Sequence, residues 1–272
     1  MLAGFHSVGL SADPILTVIQ RAAAAGYDAI ELNAETLPWT GPHVTPATPP
    51  EERAAIREAA ALNGLVISAV GAHVAMVEDD AEARRKAIAF VDGCTDLAVD
   101  VGAPVVHILS GPAPAGVPEA TAWKWFADAV VATSSHADSR GVSLAIEAIA
   151  GHLFHRIDDY SRLAADLGAG IKVNFDPSHL IVQGEDPARL VAEHGPDIVH
   201  VHMKDGAGRY PAFTFPLLGQ GAIDFAGLVK DLRGAGYDGV LSVEYEAQVY
   251  GFRETGDEIL VNGRNYLKDL TI

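Results

Sequence analysis

The sequence predicts an α/β fold, a (β/α)8 barrel formed as a single domain over residues 1–272. Three observations predict it. Eight short apolar runs alternate with longer amphipathic stretches whose apolar spacing is near three and four. The runs are rich in Val, Ile and Leu, as strands covered on both faces must be. Glycine closes several amphipathic stretches just before the next run, at Gly26, Gly64, Gly102, Gly141 and Gly236, the stop signal of a helix that feeds a parallel strand. Eight such units fill one barrel of about 250 residues. An open doubly wound sheet is the alternative. It is disfavoured because no Gly-x-Gly-x-x-Gly follows the first run; Gly219-Gln220-Gly221 reads as a turn.

The elements follow in order. The first run, AGFHSVGL (3–10), starts too abruptly to be a signal peptide, which needs a charged start and a long apolar stretch. DPILTVIQRAAAAGY reads as the first helix and DAIELNA (28–34) as the second strand, with a long Pro-rich loop over 38–50 after it. PEERAAIREAAALNG is helical and leads to LVISAVGAHV (65–74), which ends near His73. Cys94 lies in the helical pattern FVDGCTDLAVDVGA and is expected to be an inert core thiol. The remaining strands are APVVHILSG (103–111) with His107, GVSLAIEAI (141–149) with Glu147, GIKVNFDPS (170–178) ending in Asp176, DIVHVHMKD (197–205) with His200 and His202, and GVLSVEYEA (239–247) with Glu244.

Composition removes several function classes. The net charge is −17, and no basic run exceeds Arg84-Arg85-Lys86, so the basic face expected of a nucleic-acid binder is missing. No apolar run approaches the ~20 residues of a membrane span. A single cysteine forms no intrachain disulfide, which fits a reducing compartment, and a cytoplasmic location is expected.

Chemistry collects where the runs end. Active sites of these barrels form at the carboxyl ends of the strands, and there His73, His107, Glu147, Asp176, His202 and Glu244 interrupt otherwise apolar runs. Taken singly, each has a plain explanation: a core histidine, an Asp that caps the next turn, a Glu paired with Lys. Taken together, several ionised groups at one barrel mouth are costly without a shared partner. A divalent cation is that partner. Three carboxylates and one imidazole suit Mn²⁺, taken first, or Mg²⁺, Co²⁺ or Zn²⁺. Strand residues two apart share a face, so His200, His202 and Lys204 point inward together. His202 is the better ligand because it lies nearer the carboxyl end. By the same logic Glu244 is preferred over Glu246. Pro177 stops the sixth strand, and the turn is expected to bring His179 over the site.

The set IEA at Glu147, NFDPSH, HVHMKD, PLLGQGAID (216–224) and LSVEYE resembles the xylose isomerase-like TIM barrel superfamily along essentially the whole chain. Its members include sugar isomerases, ketose 3-epimerases, inosose dehydratases and AP endonucleases. The resemblance to the epimerase branch implies metal ligands Glu147, Asp176, His202 and Glu244. It also implies that Glu147 and Glu244 act as an acid–base pair and that His179 contacts substrate. His107, His73, Lys204 and Arg209 are the further substrate-binding candidates, Arg209 because an arginine follows the strand-seven histidine in that branch. The endonuclease branch adds an Asp-x-His pair after strand seven, whereas DGAGRYPAFTFPLLGQG contains no histidine. The expected function is therefore metal-dependent isomerisation or epimerisation of an unphosphorylated sugar or keto-sugar through an enediolate. A lyase acting on 3-keto-glycosides, like the catalytic subunit of a C-glycoside deglycosidase, is the alternative, and a non-catalytic sugar-binding or partner subunit is a third reading. The resemblance also implies a homo-oligomer, a dimer or tetramer, or a hetero-complex if the deglycosidase reading holds.

Overall fold

Eight parallel strands hydrogen-bond into a closed ring in the computed structural model, which describes residues 1–35 and 40–271. The barrel strands are β1 (Leu2–His6), β2 (Ala29–Asn33), β3 (Val66–Gly71), β4 (Val105–Ile108), β5 (Ser143–Ile146), β6 (Lys172–Phe175), β7 (Ile198–Met203) and β10 (Val240–Val243). Closure comes from β1, which pairs with β10 through Leu2↔Val240 to Phe5↔Val243 and with β2 through Gly4↔Ala29 to His6↔Glu31. No barrel strand keeps an open edge. A short antiparallel hairpin, β8 (Ala207–Arg209) and β9 (Ala212–Thr214), follows β7 outside the barrel.

The helices are α1 (Ile15–Ala24), α2 (Pro50–Leu62), α3 (Ala81–Val101), α4 (Glu119–Arg140), α5 (Ile157–Leu167), α6 (Pro177–Gln183), α7 (Pro187–His194), α8 (Phe225–Gly234), α9 (Ala247–Tyr250) and α10 (Gly256–Leu267). All five glycines read as helix stops have positive φ, between 71° at Gly141 and 89° at Gly236. Such a conformation is open to glycine at no steric cost. The predicted strands are correct in place and somewhat long. The first leaves the sheet after His6 for a 3-10 turn over Ser7–Leu10, and the eighth leaves it after Val243. The Pro-rich loop runs into α2 from residue 40 onward; its first residues, Pro38 and Trp39, lie outside the described set.

Strand parity separates two interiors. Phe5, Ile30, Leu32, Val106, Val201 and Leu241 belong to the large buried cluster shared with the helices. Ala69, Val105 and Ala145 form a small separate cluster against which Val199 packs. Val105 and Ala145 precede His107 and Glu147 by two residues, so this apolar plug lies one layer below them inside the barrel. Cys94 is fully buried, and burial pushes its thiol up to about 12, as an inert core residue requires. Among the described residues no helix is long and apolar enough to cross a membrane.

Candidate active site

The polar interior is organised around a residue that the sequence reading passed over. Glu31, at the fourth-last position of the DAIELNA run, is fully buried. Its Oε1 accepts hydrogen bonds from His107 Nε2 (2.6 Å) and His202 Nε2 (3.1 Å). Its Oε2 accepts from His200 Nε2 (2.9 Å) and Ser242 Oγ (2.6 Å), and His6 Nε2 lies 3.7 Å away. Burial alone would raise its pKa, but the surrounding histidines, His6 first and then His202 and His200, hold the carboxyl well below the ordinary range. The signal was present in the sequence: Glu31 interrupts an apolar strand just as Glu147 does.

One layer nearer the mouth, Glu147, Asp176, His202 and Glu244 offer ligand atoms that all lie within 4.8 Å of one another, and all four residues are buried. Glu31 holds Nε2 of His202, so the ring turns Nδ1 toward the carboxylates, 3.1 Å from Glu244 Oε2 and 3.6 Å from Glu147 Oε2. Asp176 performs two tasks. Its Oδ1 caps α6 by accepting from the Ser178 amide at 2.7 Å, so the cap reading and the ligand reading are compatible. Its Oδ2 is buried without a hydrogen-bond partner, and so is His202 Nδ1. Two unpartnered atoms facing two further carboxylates fit a divalent cation of mainly oxygen preference. Burial pushes the His202 imidazole down, but Glu244, Glu31 and Glu147 outweigh it and hold the ring well above its ordinary range, so a cation bound there would displace the Nδ1 proton. Asn174 supports the set by donating from Nδ2 to Glu147 Oε2 at 2.7 Å.

Charge at this layer is unevenly distributed. For Glu147 and Glu244, burial pushes up, but His202 and His73 outweigh it at Glu147, as do Lys204 and His202 at Glu244, so both carboxyls sit low. Asp176 goes the other way, up to about 7, because burial and the neighbouring Glu147 and Glu244 exceed the attraction of Lys204. Lys204 is buried with Nζ 2.7 Å from Glu246 Oε2, 3.3 Å from Glu244 Oε2 and 4.5 Å from the Phe215 ring centroid. Parity therefore holds along His200, His202 and Lys204, and Glu246 serves Lys204 rather than replacing Glu244.

His179 stands in the first turn of α6, as the turn after Pro177 was expected to place it. The Ala150 amide donates to its Nδ1 (3.4 Å), so Nε2 carries the proton and faces Asp176 Oδ2 (3.7 Å) and Glu147 Oε1 (3.8 Å). Burial and then Lys204 push the imidazole down to about 3, so it is neutral. His73 lies with Nδ1 2.9 Å from Glu35 Oε1 and Nε2 3.3 Å from Glu147 Oε2. His107 is deeper. It donates to Glu31, accepts from His73 Nε2 at 2.8 Å, and burial drives it down to about 4. It is fully buried and supports His73 from below instead of opening onto the mouth. Arg209 stands apart from the cluster. It is exposed on β8 and lines a separate cavity with Arg156 and His155.

Asp205 is a second residue missed. Its Oδ1 accepts from the Gly206 (2.9 Å) and Ile223 (3.3 Å) amides, and its Oδ2 from Gly219 (3.0 Å) and Gly221 (2.9 Å). This pins the hairpin-bearing loop to the end of β7. A Cβ on Gly221 would lie 2.1 Å from Asp205 Oδ1, so Gly219-Gln220-Gly221 is the turn expected, with glycine required by close approach.

The model of the family described as xylose isomerase-like TIM barrel matches residues 19–270. An inosose dehydratase from Clostridium botulinum is 31% identical over 112 residues, which are 35% of this chain and 36% of that protein, so the matched stretch spans about a third of the relative. The solved structure of the IolI protein with a bound zinc atom superposes with a TM-score of 0.82 at 17% identity, covering 100% of this chain and 98% of that one. D-psicose 3-epimerase in the presence of D-fructose superposes with a TM-score of 0.79 at 17% identity, covering 99% and 98%. At these identities the structural likeness establishes the fold.

Proposed function

The chain belongs to the xylose isomerase-like TIM barrel family, and from that premise we propose that it is a divalent-metal-dependent isomerase or epimerase of an unphosphorylated sugar or keto-sugar. The observation that carries the reading is the convergence of Glu147, Asp176, His202 and Glu244, with Asp176 Oδ2 and His202 Nδ1 left unpartnered. These four residues would hold the cation, Mn²⁺ in our proposal. When bound, it would supply Lewis acidity that favours loss of a proton beside a carbonyl.

The chain's own groups do the rest. Glu147 and Glu244, on β5 and β10 extensions across the mouth, carry depressed carboxyls and are ionised, so either can take a proton from a carbon held between them and, once protonated, give it back. Return to the opposite face would need the other glutamate to be protonated first, for which the Lys204 ammonium, 3.3 Å from Glu244 Oε2, is the neighbouring proton source. The neutral Nε2–H of His179, 3.8 Å from Glu147 Oε1 and 3.7 Å from Asp176 Oδ2, would donate to a substrate oxygen held beside them. Lys204, fixed by Glu244 and Glu246, offers a positive charge to developing oxyanion character at the same rim. Buried side chains surround the set and exclude water. The inosose dehydratase relative favours a second reading, a lyase, in which the same proton abstraction is followed by loss of a group instead of reprotonation. Assembly as a dimer or tetramer in the cytoplasm belongs to the same proposal.

The test is incubation of ketoses, inososes and 3-keto-glycosides with the Mn²⁺-loaded protein in D₂O. Deuterium entering a carbon beside the carbonyl, with the skeleton retained, is the expected outcome. Release of water or of an aglycone moves the protein to the lyase reading. Absence of exchange on every substrate, with tight sugar binding, replaces both with a binding module.

A further inference from the structure

Beside the mouth lies a cavity of about 540 Å³ whose lining includes Arg156, Arg209, His152, His155, Tyr210 and Glu185. In a chain of net charge −17 cations readily find carboxylates. Arg21, Arg53, Arg85, Arg140, Arg162 and Arg189 each do so. Arg156 and Arg209 are among those that do not, and they are the two that line this cavity: among the described residues, Arg156 Nε donates to His155 Nε2 at 3.2 Å, and neither guanidinium has a carboxylate at ion-pair distance.

The arginine from the hairpin has a built seat. Arg209 lies over the α-carbon of Gly184, where φ is +85° and a Cβ would come within 1.6 Å of its guanidinium nitrogen. The next residue is held likewise: the Tyr210 hydroxyl lies over Gly151, where a Cβ would be 2.9 Å from it, and the Tyr210 amide donates to Val182 O at 2.8 Å. The cavity and the metal-ligand cluster share a wall. Helix α6 turns His179 to the cluster and Gln183 to the cavity, and Gln183 Nε2 donates to both His179 O (2.9 Å) and His155 O (2.8 Å). On that wall His152 Nδ1 is buried and has no hydrogen-bond partner.

We propose that this cavity binds the carboxylate of a sugar acid whose carbonyl end lies over Glu147, Asp176, His202 and Glu244. The second half of that statement rests on the enzyme reading above; the first half does not. Glu185 also lines the cavity, with its Oε2 accepting from the Ile157 amide at 2.8 Å. Two guanidinium groups against one carboxylate leave a single net positive charge, which matches a monoanion better than a phosphate dianion. Guanidinium–carboxylate pairing supplies the geometry.

Equilibrium binding to the full-length protein tests this without turnover. The probes are glucuronate, glucose as its neutral counterpart, and glucose 6-phosphate. Glucuronate is expected to bind at least about tenfold more tightly than glucose. The double variant Arg156→Gln/Arg209→Gln is expected to erase that preference with its circular dichroism and melting temperature unchanged, since both side chains are exposed. Equal affinity for glucose and glucuronate, no glucuronate binding, or a preference that survives in the double variant overturns the proposal. Tighter binding of glucose 6-phosphate than glucuronate overturns the carboxylate assignment in favour of phosphate. An anion preference that disappears with the arginines stands even if no deuterium exchange is ever seen, so the two readings fail separately.

Discussion

Replacing Glu31 with Gln keeps the shape of the side chain and removes the charge that organises four strands. The carboxylate accepts four hydrogen bonds, at 2.6, 2.6, 2.9 and 3.1 Å, from His107, Ser242, His200 and His202. Bonds to a charged acceptor contribute about 1.5–3 kcal/mol each and neutral ones about 0.5–1.5, so neutralising the acceptor costs about 1 kcal/mol per bond. Four bonds give about 4 kcal/mol, which agrees with the 3–5 kcal/mol expected on breaking a buried charge pair. Against a total stability of about 5–15 kcal/mol this is a large fraction, and it corresponds to a fall in melting temperature of about 10 °C. A second effect is specific to the site. Glu31 accepts from His202 Nε2 and so would leave Nδ1 as the ligand atom when metal displaces its proton, and an amide no longer enforces that arrangement; loss of such support weakens metal binding by about 10- to 100-fold. Urea denaturation measures the first effect, and Mn²⁺ titration followed by electron paramagnetic resonance the second. Nitrogen-15 shifts of His202 report the tautomer directly. Wild-type Mn²⁺ affinity in Glu31→Gln, or a His202 still protonated on Nδ1 in the metal-loaded wild type, would refute the reasoning.

His179→Ala is expected to lower turnover about 10²-fold or more, within the range for general acid–base groups. Its melting temperature should hardly move, because its one hydrogen bond accepted through the ring is long, 3.4 Å; a large stability loss with normal turnover reverses the assignment. Metal affinity should depend on pH through Asp176. Its carboxyl titrates near about 7 in the metal-free fold and must be ionised to bind, so Mn²⁺ affinity should fall about tenfold per pH unit below about 7. The same shift has the opposite effect on the metal-free protein. A raised carboxyl favours the protonated fold, so this contribution to stability is present at low pH and is lost as pH climbs through about 7; calorimetry with and without Mn²⁺ separates the two trends. Asp205→Ala leaves four amides without their acceptor. At about 1–3 kcal/mol for each buried unsatisfied group, less where water enters, a loss of at least about 2 kcal/mol is expected, with faster hydrogen exchange at Gly219 and Gly221. Unchanged exchange there rejects the latch.

The barrel was legible in the sequence because its signals are local. Apolar runs, helical spacing and glycine stops act through the chain's own neighbours, and all five stop glycines adopt the conformation that makes them stops. The four proposed ligands were legible because an ionisable group that interrupts a buried strand has few explanations, and because His202, on the same face as His200, lies nearer the carboxyl end of its strand. Glu31 carried the same signal and was missed, since its partners are His107, His200, His202 and Ser242, up to 211 residues away. A carboxylate's meaning depends on what faces it across the barrel, and strand order around a closed sheet is not written in any single strand. Arg209 shows the reverse. The resemblance to the epimerase branch, where an arginine follows the strand-seven histidine, suggested a role in substrate binding at the cluster, whereas Arg209 lies over Gly184 and lines the neighbouring cavity with Arg156. The residue types and their faces were thus set by local pattern. Which buried oxygen meets which ring nitrogen, and which arginines go without a carboxylate, was decided only when barrel closure brought distant strands and loops into contact.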